Sequence, residues 1–294
     1  MYNDLFSIGP LTFHTYGLMT AIGIISAYYM IEARGKKRNF TEEQSGHIFG
    51  LVAFCVLFGY IGSKLLFMLT ILPELMKDPS RILQSISDGW VVFGGILGGI
   101  LGAWIFCKWK KLPAGEYFDL AFPGVALAQG FGRIGCFFAG CCYGAQTESA
   151  FSIVFKNSDY APNHVHLIPT QLISSALDFL LCFFLLWYEK RIKKRDGELA
   201  AVYLVLYSVG RFILEFWRGD LGRGSVGTLS TSQFIGIFTA LAGVGLYLLI
   251  RRRPGAARVE EQADADRKAD VAARDEAVTD VLKKNAENEG EHGA

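Results

Sequence analysis

Long runs of apolar residues, separated by short polar connections, make up most of the first 250 residues of the chain. A membrane-spanning helix needs about 20 mostly apolar residues, and about seven windows of the sequence provide them. The windows cover residues 14–33, 46–70, 91–108, 117–140, 169–189, 199–216 and 232–250. The glycines within them, as in the run 94–99, are typical of helices whose backbones pack closely. The pattern predicts an all-α bundle of about seven transmembrane helices.

Basic residues are concentrated in alternate connections between these windows. The basic connections hold Arg34, Lys36, Lys37 and Arg38; Lys108, Lys110 and Lys111; Lys190, Arg191, Lys193, Lys194 and Arg195; and Arg251, Arg252 and Arg253. The other connections hold fewer basic residues. Because lysine and arginine are enriched on the cytoplasmic side of membrane proteins, we expect the N-terminus outside and the C-terminus in the cytoplasm.

The composition agrees with a membrane protein, since 51% of the residues are hydrophobic and 33 are glycines. Residues 1–4 contain no basic side chain, and no small-residue cleavage site follows the first apolar run, so we predict that no signal peptide is removed. The formal net charge of +1 identifies no partner, and no feature indicates binding to nucleic acid. We expect membrane lipids to surround the bundle.

The last stretch of the chain differs from the rest. It is rich in alanine and charged residues and has almost no aromatic ones, a composition that cannot bury a core. We therefore predict a transmembrane domain over residues 1–253 and a cytoplasmic tail over 254–294 that is disordered or a solvated helix.

Four charged residues lie at the outer ends of the predicted helices. Arg133 lies in the fourth window, where a charge must face a cavity lined by protein or water. Arg211, Glu215 and Arg218 share one helical stripe at the end of the sixth. Glu215 can neutralise Arg211, but this pairing leaves two arginines unexplained. A positive surplus of guanidinium groups suits phosphate, which predicts binding of an anionic lipid headgroup from the outer face.

The remaining polar side chains at membrane depth allow a structural and a functional interpretation. They are His14, Tyr16, Lys64, Gln129, Gln171 and Gln233. A lysine stem can extend to the interface, glutamines commonly hydrogen-bond between helices, and aromatic residues gather at membrane interfaces. The residues alone leave these roles open.

Three cysteines follow Arg133 closely, namely Cys136, Cys141 and Cys142. Structural zinc sites usually show paired Cys-x-x-Cys or Cys/His spacing, which is absent here, so we expect no metal ion and an inert Cys136. The adjacent Cys141 and Cys142 keep open an alternative, a membrane protein that carries out thiol redox chemistry.

Several motifs together resemble the bacterial prolipoprotein diacylglyceryl transferases, in order and spacing over residues 6–250. The motifs are Phe6-Ser7-Ile8-Gly9-Pro10 with His14-Thr15-Tyr16-Gly17-Leu18; Gly94-Gly95-Ile96-Leu97-Gly98; Gly132-Arg133-Ile134-Gly135 through Gly144; Pro169-Thr170-Gln171-Leu172; Tyr207, Gly210-Arg211-Phe212, Glu215 and Arg218; and Gln233. The resemblance implies a multi-pass protein of the bacterial inner membrane whose site faces the periplasmic leaflet.

The resemblance also implies a reaction and roles for individual residues. The diacylglyceryl group of phosphatidylglycerol would move to the thiol of the lipobox cysteine of a prolipoprotein, without a cofactor. Arg133 and Arg211 would hold the phosphate, Tyr16 would line the headgroup site, and Glu215 would orient Arg211. The implied substrate-binding residues are His14, Gln129, Gly144, Gln171, Tyr207, Arg218 and Gln233, and Gly144 would allow close backbone approach.

The sequence departs from the family pattern where protons would be handled. Phe93 stands where well-studied members have a histidine proposed as general base, and Cys136, Ala139 and Cys141 replace the usual asparagines and glutamate. The departures leave open another proton acceptor, no base at all, or a catalytically altered accessory protein that binds anionic lipid. The acceptors available are His14, His164, His166 and Glu215.

Overall fold

The computed structural model describes residues 4–8, 11–38, 40–72, 76, 89, 91–220 and 225–252. Within these ranges the chain forms seven α-helices, each lying on one of the seven apolar windows, which confirms the predicted all-helical character. The helices are α1 Thr15–Lys37, α2 Glu42–Thr70, α3 Val92–Trp109, α4 Ala114–Ala139, α5 Thr170–Arg191, α6 Glu198–Leu214 and α7 Thr231–Arg252.

Short extended segments precede α1 and lie in connections between later helices. A 3-10 turn, Glu215–Trp217, continues α6. The described residues form three antiparallel pairs: β1 Asp4–Ile8 with β2 Leu11–His14, β3 Ile153–Val154 with β4 His166–Leu167, and β5 Ser225–Val226 with β6 Leu229–Ser230. The first pair leads directly into α1, and the second lies in the long connection between α4 and α5.

The chain divides into a unit of residues 1–247 and a second unit of residues 248–294. Of the second unit only residues 248–252 are described, and they are the last residues of α7. The charged tail predicted from residue 254 lies outside the described residues.

Four of the described helices are long and apolar enough to cross a membrane: α2, α5, α6 with its 3-10 turn, and α7. Helix α3 is apolar but shorter over Gly94–Trp109. Helices α1 and α4 fall outside this set, and each carries charged residues within its length, Glu32 and Arg34 in α1 and Asp119 and Arg133 in α4. The described part of the chain thus contains four candidate spans by length and composition, where the sequence predicted about seven.

Glycines let α2 and α3 pack with their backbones in contact. A Cβ atom added at Gly62 would collide with the carbonyl oxygen of Gly94, and one added at Gly98 would collide with that of Phe58. Small residues at helix interfaces in membranes allow this approach, because lipid supplies no hydrophobic force to hold the helices together. The pair α2 and α3 therefore depends on glycine at these positions.

We expect Gly62→Ala to destabilise the protein by about 1–3 kcal/mol, because the added methyl group must push two helix backbones apart. Thermal unfolding of the protein in detergent, followed by circular dichroism, measures the effect. Gly46→Ala is the matched control, since a Cβ atom at Gly46 in α2 would meet nothing within 4 Å. Equal melting temperatures for the two variants would contradict the prediction.

A proline in α4 is accommodated by an arginine from α1. Pro123 has no backbone N–H, so the carbonyl of Asp119 loses its helical partner. The Nη2 atom of Arg34 donates to that carbonyl oxygen at 3.1 Å, and Nη1 donates to the carbonyl of Leu120. Arg34 and Arg38 also pair with Glu189 of α5, Arg34 at 2.6 Å. These contacts fix α4 between α1 and α5.

The side chain of Asp119 in turn caps α6. Its carboxylate accepts hydrogen bonds from the backbone N–H groups of Gly197, Leu199 and Ala200 at 2.8, 2.9 and 3.3 Å, and pairs with Lys193 at 2.9 Å. The first N–H groups of a helix lack partners within the helix, and a carboxylate there also favours the helix dipole. Asp119 thereby sets the position of α6 relative to α4.

Candidate active site

A pocket lies where the end of α4, the start of α5 and the end of α6 meet, at the opposite ends of these helices from the network around Asp119. Its walls are formed by Arg133, Cys142, Thr170, Gln171, Ser174, Arg211, Leu214 and Arg218. The three arginines that the sequence indicated as phosphate or substrate ligands, Arg133, Arg211 and Arg218, therefore line one cavity.

The chain reaches this pocket through a tight turn after α4. Gly140 ends the helix with φ of 76°, a left-handed conformation that glycine adopts without strain. The start of α5 then holds the next two residues, because Gln171 Nε2 donates to the carbonyl of Cys141 at 2.9 Å and Thr170 Oγ1 donates to that of Cys142 at 3.0 Å. The turn and α5 form one wall.

Gly144 joins this wall to the segment after α6. Its N–H donates to the carbonyl of Ile168 at 3.2 Å, and it forms an isolated antiparallel bridge with Arg218. A Cβ atom at Gly144 would collide with the carbonyl oxygen of Ile168. In the structure, the close approach at Gly144 is thus made by the backbone of the protein itself.

Arg133 enters the pocket from α4 without a fixed partner. Its guanidinium forms no hydrogen bond or ion pair with any residue that the structure describes, although Tyr207, Cys136, Cys142 and Asp178 are near enough to interact with it electrostatically. A guanidinium presents five N–H donors that require acceptors. Arg133 is therefore free to bind an anion in the pocket.

The other two arginines of the pocket are held in place. Arg211 forms an ion pair with Glu215, as the spacing of four residues predicted, and donates from Nη2 to Ser232 Oγ at 3.2 Å. Arg218 forms a two-pronged pair with Asp220, from Nε at 2.9 Å and from Nη2 at 2.8 Å. Both guanidinium groups are preorganised against the pocket wall.

Two carboxylates change the charge balance that the sequence indicated. Asp220 pairs with Arg218, and Asp178 on α5 interacts electrostatically with Arg133 and Arg211. The positive surplus inferred from one carboxylate is therefore smaller than expected. Among the described residues, the lining of the pocket nevertheless contains three arginines and no acidic residue, so its surface remains attractive to an anion.

Besides Asp220, the sequence reasoning missed Asp178 in this region. Its side chain is 4% exposed, and its Oδ2 atom has no hydrogen-bond partner in the described part of the chain. An acidic residue in the middle of an apolar window was the signal available, because a carboxylate at membrane depth is costly unless it has a function or a partner.

Tyr16 and His14 lie at the start of α1. Tyr16 is close enough to Arg133, Cys136 and Cys141 to interact with each electrostatically. Gly135 leaves room for the Tyr16 ring, because a Cβ atom added at Gly135 would lie 3.1 Å from that ring. His14 ends β2, where it is exposed. Neither belongs to the lining of the arginine pocket.

Gln129 and Tyr207 lie next to the pocket rather than in its wall. The ring of Tyr207 stacks on that of Tyr203, with centroids 5.5 Å apart and planes 6° from parallel, and the hydroxyl of Tyr203 donates to Gln129 Oε1 at 2.6 Å. These residues connect α4 to α6 directly behind Arg133.

Gln233 has a local structural role at the start of α7. Its Oε1 atom accepts from the N–H of Ser230 at 3.1 Å, and its own N–H donates to Ser230 Oγ at 3.2 Å. This reciprocal pair is a capping box, which satisfies two backbone donors at the start of the helix.

The two histidines considered as proton acceptors lie elsewhere. His164 and His166 line a separate surface cavity in the connection between α4 and α5, where Ser152 Oγ and His166 Nδ1 are 2.7 Å apart. The side chain of Phe93 is outside what the structure describes. Among the described residues, the arginine pocket therefore has no histidine in its lining.

The three cysteines form a cluster beside the pocket. All three are free thiols, and their sulfur atoms lie within 4.8 Å of one another. Hydrogen bonds with the thiols of Cys136 and Cys142, together with burial, raise the pKa of Cys141 above its usual range. Because the thiolate is the reactive form in disulfide exchange, this environment disfavours Cys141 as a redox nucleophile.

Comparison with known proteins places these observations in one family. Residues 3–249 match the family model described as prolipoprotein diacylglyceryl transferase. The chain is 43% identical over 249 residues to the phosphatidylglycerol–prolipoprotein diacylglyceryl transferase of Clostridium tetani, covering 85% of this chain and 98% of that protein. It is 45% identical over 237 residues to phosphatidylglycerol–prolipoprotein diacylglyceryl transferase 2 of Clostridium perfringens, covering 81% and 91%.

A more distant relative, the phosphatidylglycerol–prolipoprotein diacylglyceryl transferase of Dehalococcoides mccartyi strain 195, is 32% identical over 253 residues, which cover 84% of this chain and 93% of that protein. Similarity thus extends over nearly the full length of each relative and over the region that contains the arginine pocket. The chain belongs to the prolipoprotein diacylglyceryl transferase family.

Proposed function

We propose that this protein is an enzyme that transfers the diacylglyceryl group of phosphatidylglycerol to the thiol of a lipobox cysteine in prolipoproteins, the first step of bacterial lipoprotein maturation. The observation that carries the proposal is Arg133, a guanidinium without a hydrogen-bond partner among the described residues, in a pocket lined by three arginines. The names of the relatives give the same pair of substrates.

The arginines act on the phosphate that leaves. Transfer breaks the bond between the diacylglyceryl carbon and a phosphate oxygen, so a phosphodiester with one negative charge becomes a phosphate monoester with two. Charge therefore develops on the phosphate in the transition state, where preorganised donors lower the barrier most. Arg211 is held by Glu215 and Ser232, whereas Arg133 has its donors available.

Other side chains position the lipid headgroup. Gln171 uses Nε2 to hold the carbonyl of Cys141, while its Oε1 atom has no partner among the residues described and can accept a hydrogen bond from a headgroup hydroxyl. Arg218 lies in the same wall, and Tyr16 borders Arg133. Asp178 interacts electrostatically with both Arg133 and Arg211 and so offsets part of the repulsion between the two guanidinium groups.

The remaining substrate-binding residues of the proposal act less directly. Tyr207 and Gln129 support Arg133 from behind, Gly144 keeps the wall compact, Gln233 fixes the start of α7 near Arg211, and His14 stands at the membrane interface before Tyr16. All of these assignments can be tested by the effect of substitution on the Michaelis constant for lipid.

The orientation in the membrane is part of the same proposal. All seven helices cross the bacterial inner membrane, with the transmembrane domain ending near residue 253, the N-terminus outside and the tail in the cytoplasm. The ends of α1 and α5 that carry Arg34, Arg38 and Glu189 face the cytoplasm, in agreement with the enrichment of basic residues there. The arginine pocket, at the opposite ends of α4, α5 and α6, faces the periplasmic leaflet.

We expect the chain to restore lipoprotein lipidation in bacterial cells depleted of their own transferase. Lipidation of a reporter with a lipobox is followed by metabolic labelling with a radioactive fatty acid, and membrane levels of the protein are measured in parallel. The Arg133→Ala variant, expressed to the same level, is the inactive control. A well-expressed wild-type chain that restores no lipidation would overturn the proposal.

Such a negative result would favour an accessory membrane protein that binds anionic lipid without transferring its diacylglyceryl group. The specific observation behind this second candidate is the absence of histidine from the lining of the arginine pocket, as far as the structure describes it. Phosphatidylglycerol binding to the purified protein, measured in detergent with phosphatidylethanolamine as the control lipid, would then remain while transfer would not.

A further inference from the structure

Three thiols meet at the edge of the arginine pocket. The Sγ atoms of Cys136, Cys141 and Cys142 lie within 4.8 Å of one another, and Cys142 also lines the pocket. A zinc ion bonded to thiolates at about 2.3 Å holds its sulfur ligands roughly 4 Å apart. The three sulfurs therefore need only small side-chain rotations to reach a common metal ion.

The backbone that carries two of these thiols is held firmly. The carbonyl oxygens of Cys141 and Cys142 accept hydrogen bonds from Gln171 and Thr170. Cys142 adopts φ of 59°, in the left-handed region that costs a residue other than glycine about 1–3 kcal/mol. Contacts with α5 thus maintain a costly conformation in which both thiols stay beside Cys136.

The chemistry of the cluster selects a soft metal ion. Thiolates prefer zinc, copper(I) and iron–sulfur centres over magnesium or calcium. Zinc with three protein ligands keeps a fourth position for water or substrate, as in catalytic zinc sites. No fourth Cys, His, Asp or Glu joins the three cysteines in the described part of the chain. A zinc ion here would therefore have one position open.

The surrounding charges suit a zinc–thiolate centre. Zinc with three thiolates has a net charge of −1, and a fourth thiolate makes it −2. Arg133 interacts electrostatically with Cys136 and Cys142, and Arg218 forms a hydrogen bond with the side chain of Cys142. These guanidinium groups compensate the negative charge of the centre, while the thiolate sulfur atoms remain available to bind the metal ion.

We propose that Cys136, Cys141 and Cys142 bind a zinc ion whose fourth position takes the thiol of the prolipoprotein cysteine. The identity of this thiol rests on the proposed function, whereas the metal site itself does not. The proposal replaces the expectation from cysteine spacing that the chain has no metal ion. Cys141 and Cys142 follow Cys136 by five and six residues, and the turn at Gly140 brings their side chains next to it.

The step balances without an oxidant or a reductant. The substrate thiol gives its proton to water as its sulfur bonds to zinc, since a coordinated thiol is deprotonated outright. The sulfur then attacks the glyceryl carbon, forming the C–S bond while the C–O bond to phosphate breaks. The electron pair leaves with glycerol phosphate, facing Arg133, and the neutral thioether dissociates from zinc. Zinc thus supplies the thiolate in a pocket whose described lining contains no histidine.

The metal site is tested first by binding alone. Full-length protein in detergent is stripped with a chelator, dialysed against zinc, and analysed for metal by atomic absorption. We expect one zinc ion per chain, and we expect Cys141→Ser to weaken binding by at least about 100-fold, since changes next to metal ligands already cost 10–100-fold. Cys55→Ser, at a half-buried free cysteine of α2 outside the cluster, is the matched control and should bind as the wild type does. Failure of the wild type to bind zinc would overturn the proposal.

The open position is tested with cobalt(II) in place of zinc, because the sulfur-to-cobalt charge-transfer absorption increases with the number of thiolates bound. A lipobox peptide with a free cysteine should increase the absorption by about one third, from three thiolates to four, and the same peptide with serine should leave it unchanged. An unchanged spectrum with both peptides would overturn substrate coordination even if zinc binds.

Transfer activity separates this proposal from the proposed function. We expect the metal-stripped protein to lose diacylglyceryl transfer and to recover it on addition of zinc. Full activity of stripped protein would overturn zinc activation while leaving the transferase function intact. Zinc and peptide binding without transfer by the folded wild type would instead count against the transferase function alone.

Discussion

Replacing Arg133 with alanine should reduce diacylglyceryl transfer by at least about 1000-fold. Loss of a single preorganised donor at a developing negative charge already costs 100- to 1000-fold in other enzymes, and Arg133 provides a whole guanidinium fork. Arg133→Lys should recover only part of the rate, because an ammonium group keeps the charge but not the two-pronged geometry. The rate of lipidation of a lipobox peptide by purified protein in mixed micelles of phosphatidylglycerol and detergent measures both effects.

Arg191→Ala is the matched control for this experiment. Arg191 is an exposed arginine at the end of α5, so its loss removes the same charge from the chain without touching the pocket. It should retain the wild-type rate. Substantial transfer by a folded Arg133→Ala protein would rule out the phosphate clamp, and unchanged melting temperatures would show that misfolding is not the cause of lost activity.

Replacing Asp119 with alanine should produce the largest loss of stability, about 3–5 kcal/mol. The substitution leaves Lys193 without its buried partner and three N–H groups at the start of α6 without acceptors. Asp119 itself is fully buried, so water cannot replace the lost carboxylate without opening the core. Thermal unfolding in detergent should show a melting temperature lower by roughly 10 °C.

Asp196→Ala controls for the loss of a carboxylate that pairs with the same lysine. Asp196 also lies 2.9 Å from Lys193, but its side chain is 60% exposed, so its pair should contribute less than about 1 kcal/mol. Similar melting temperatures for the two variants would mean that Asp119 does not hold α6 in place.

The two ends of the helix bundle use arginine in different ways. At the end that carries Glu189, Arg34 and Arg38 are both fixed by this carboxylate, and Arg34 also satisfies two carbonyl groups of α4. At the pocket end, Arg133 has no such partner among the residues described. A partly buried guanidinium that a fold leaves without acceptors is costly, which supports a role for Arg133 in binding a ligand rather than in stability.

The long apolar windows of the sequence determined the seven helices. A run of about 20 apolar residues is long enough to cross a bilayer, and a helix satisfies all of its backbone hydrogen bonds within the run. Arg133 was also recognisable from the sequence, since a charge inside such a run is rare. The capping box of Gln233 had a local signal too, Ser230 three residues earlier, which the interpretation as a substrate ligand passed over.

Only the tertiary structure decided which charges meet. The pairing of Arg218 with Asp220, the position of Asp178 behind two arginines and the capping of α6 by Asp119 join residues whose side-chain directions depend on how the helices pack and turn. The gathering of Cys136, Cys141 and Cys142 likewise depends on the left-handed turn at Gly140 and on contacts with α5. Hydrophobic patterns can be read along the chain, whereas these ion pairs and the thiol cluster depend on how the chain turns and how the helices pack. The fold therefore followed from the sequence, and the arrangement of the site required the structure.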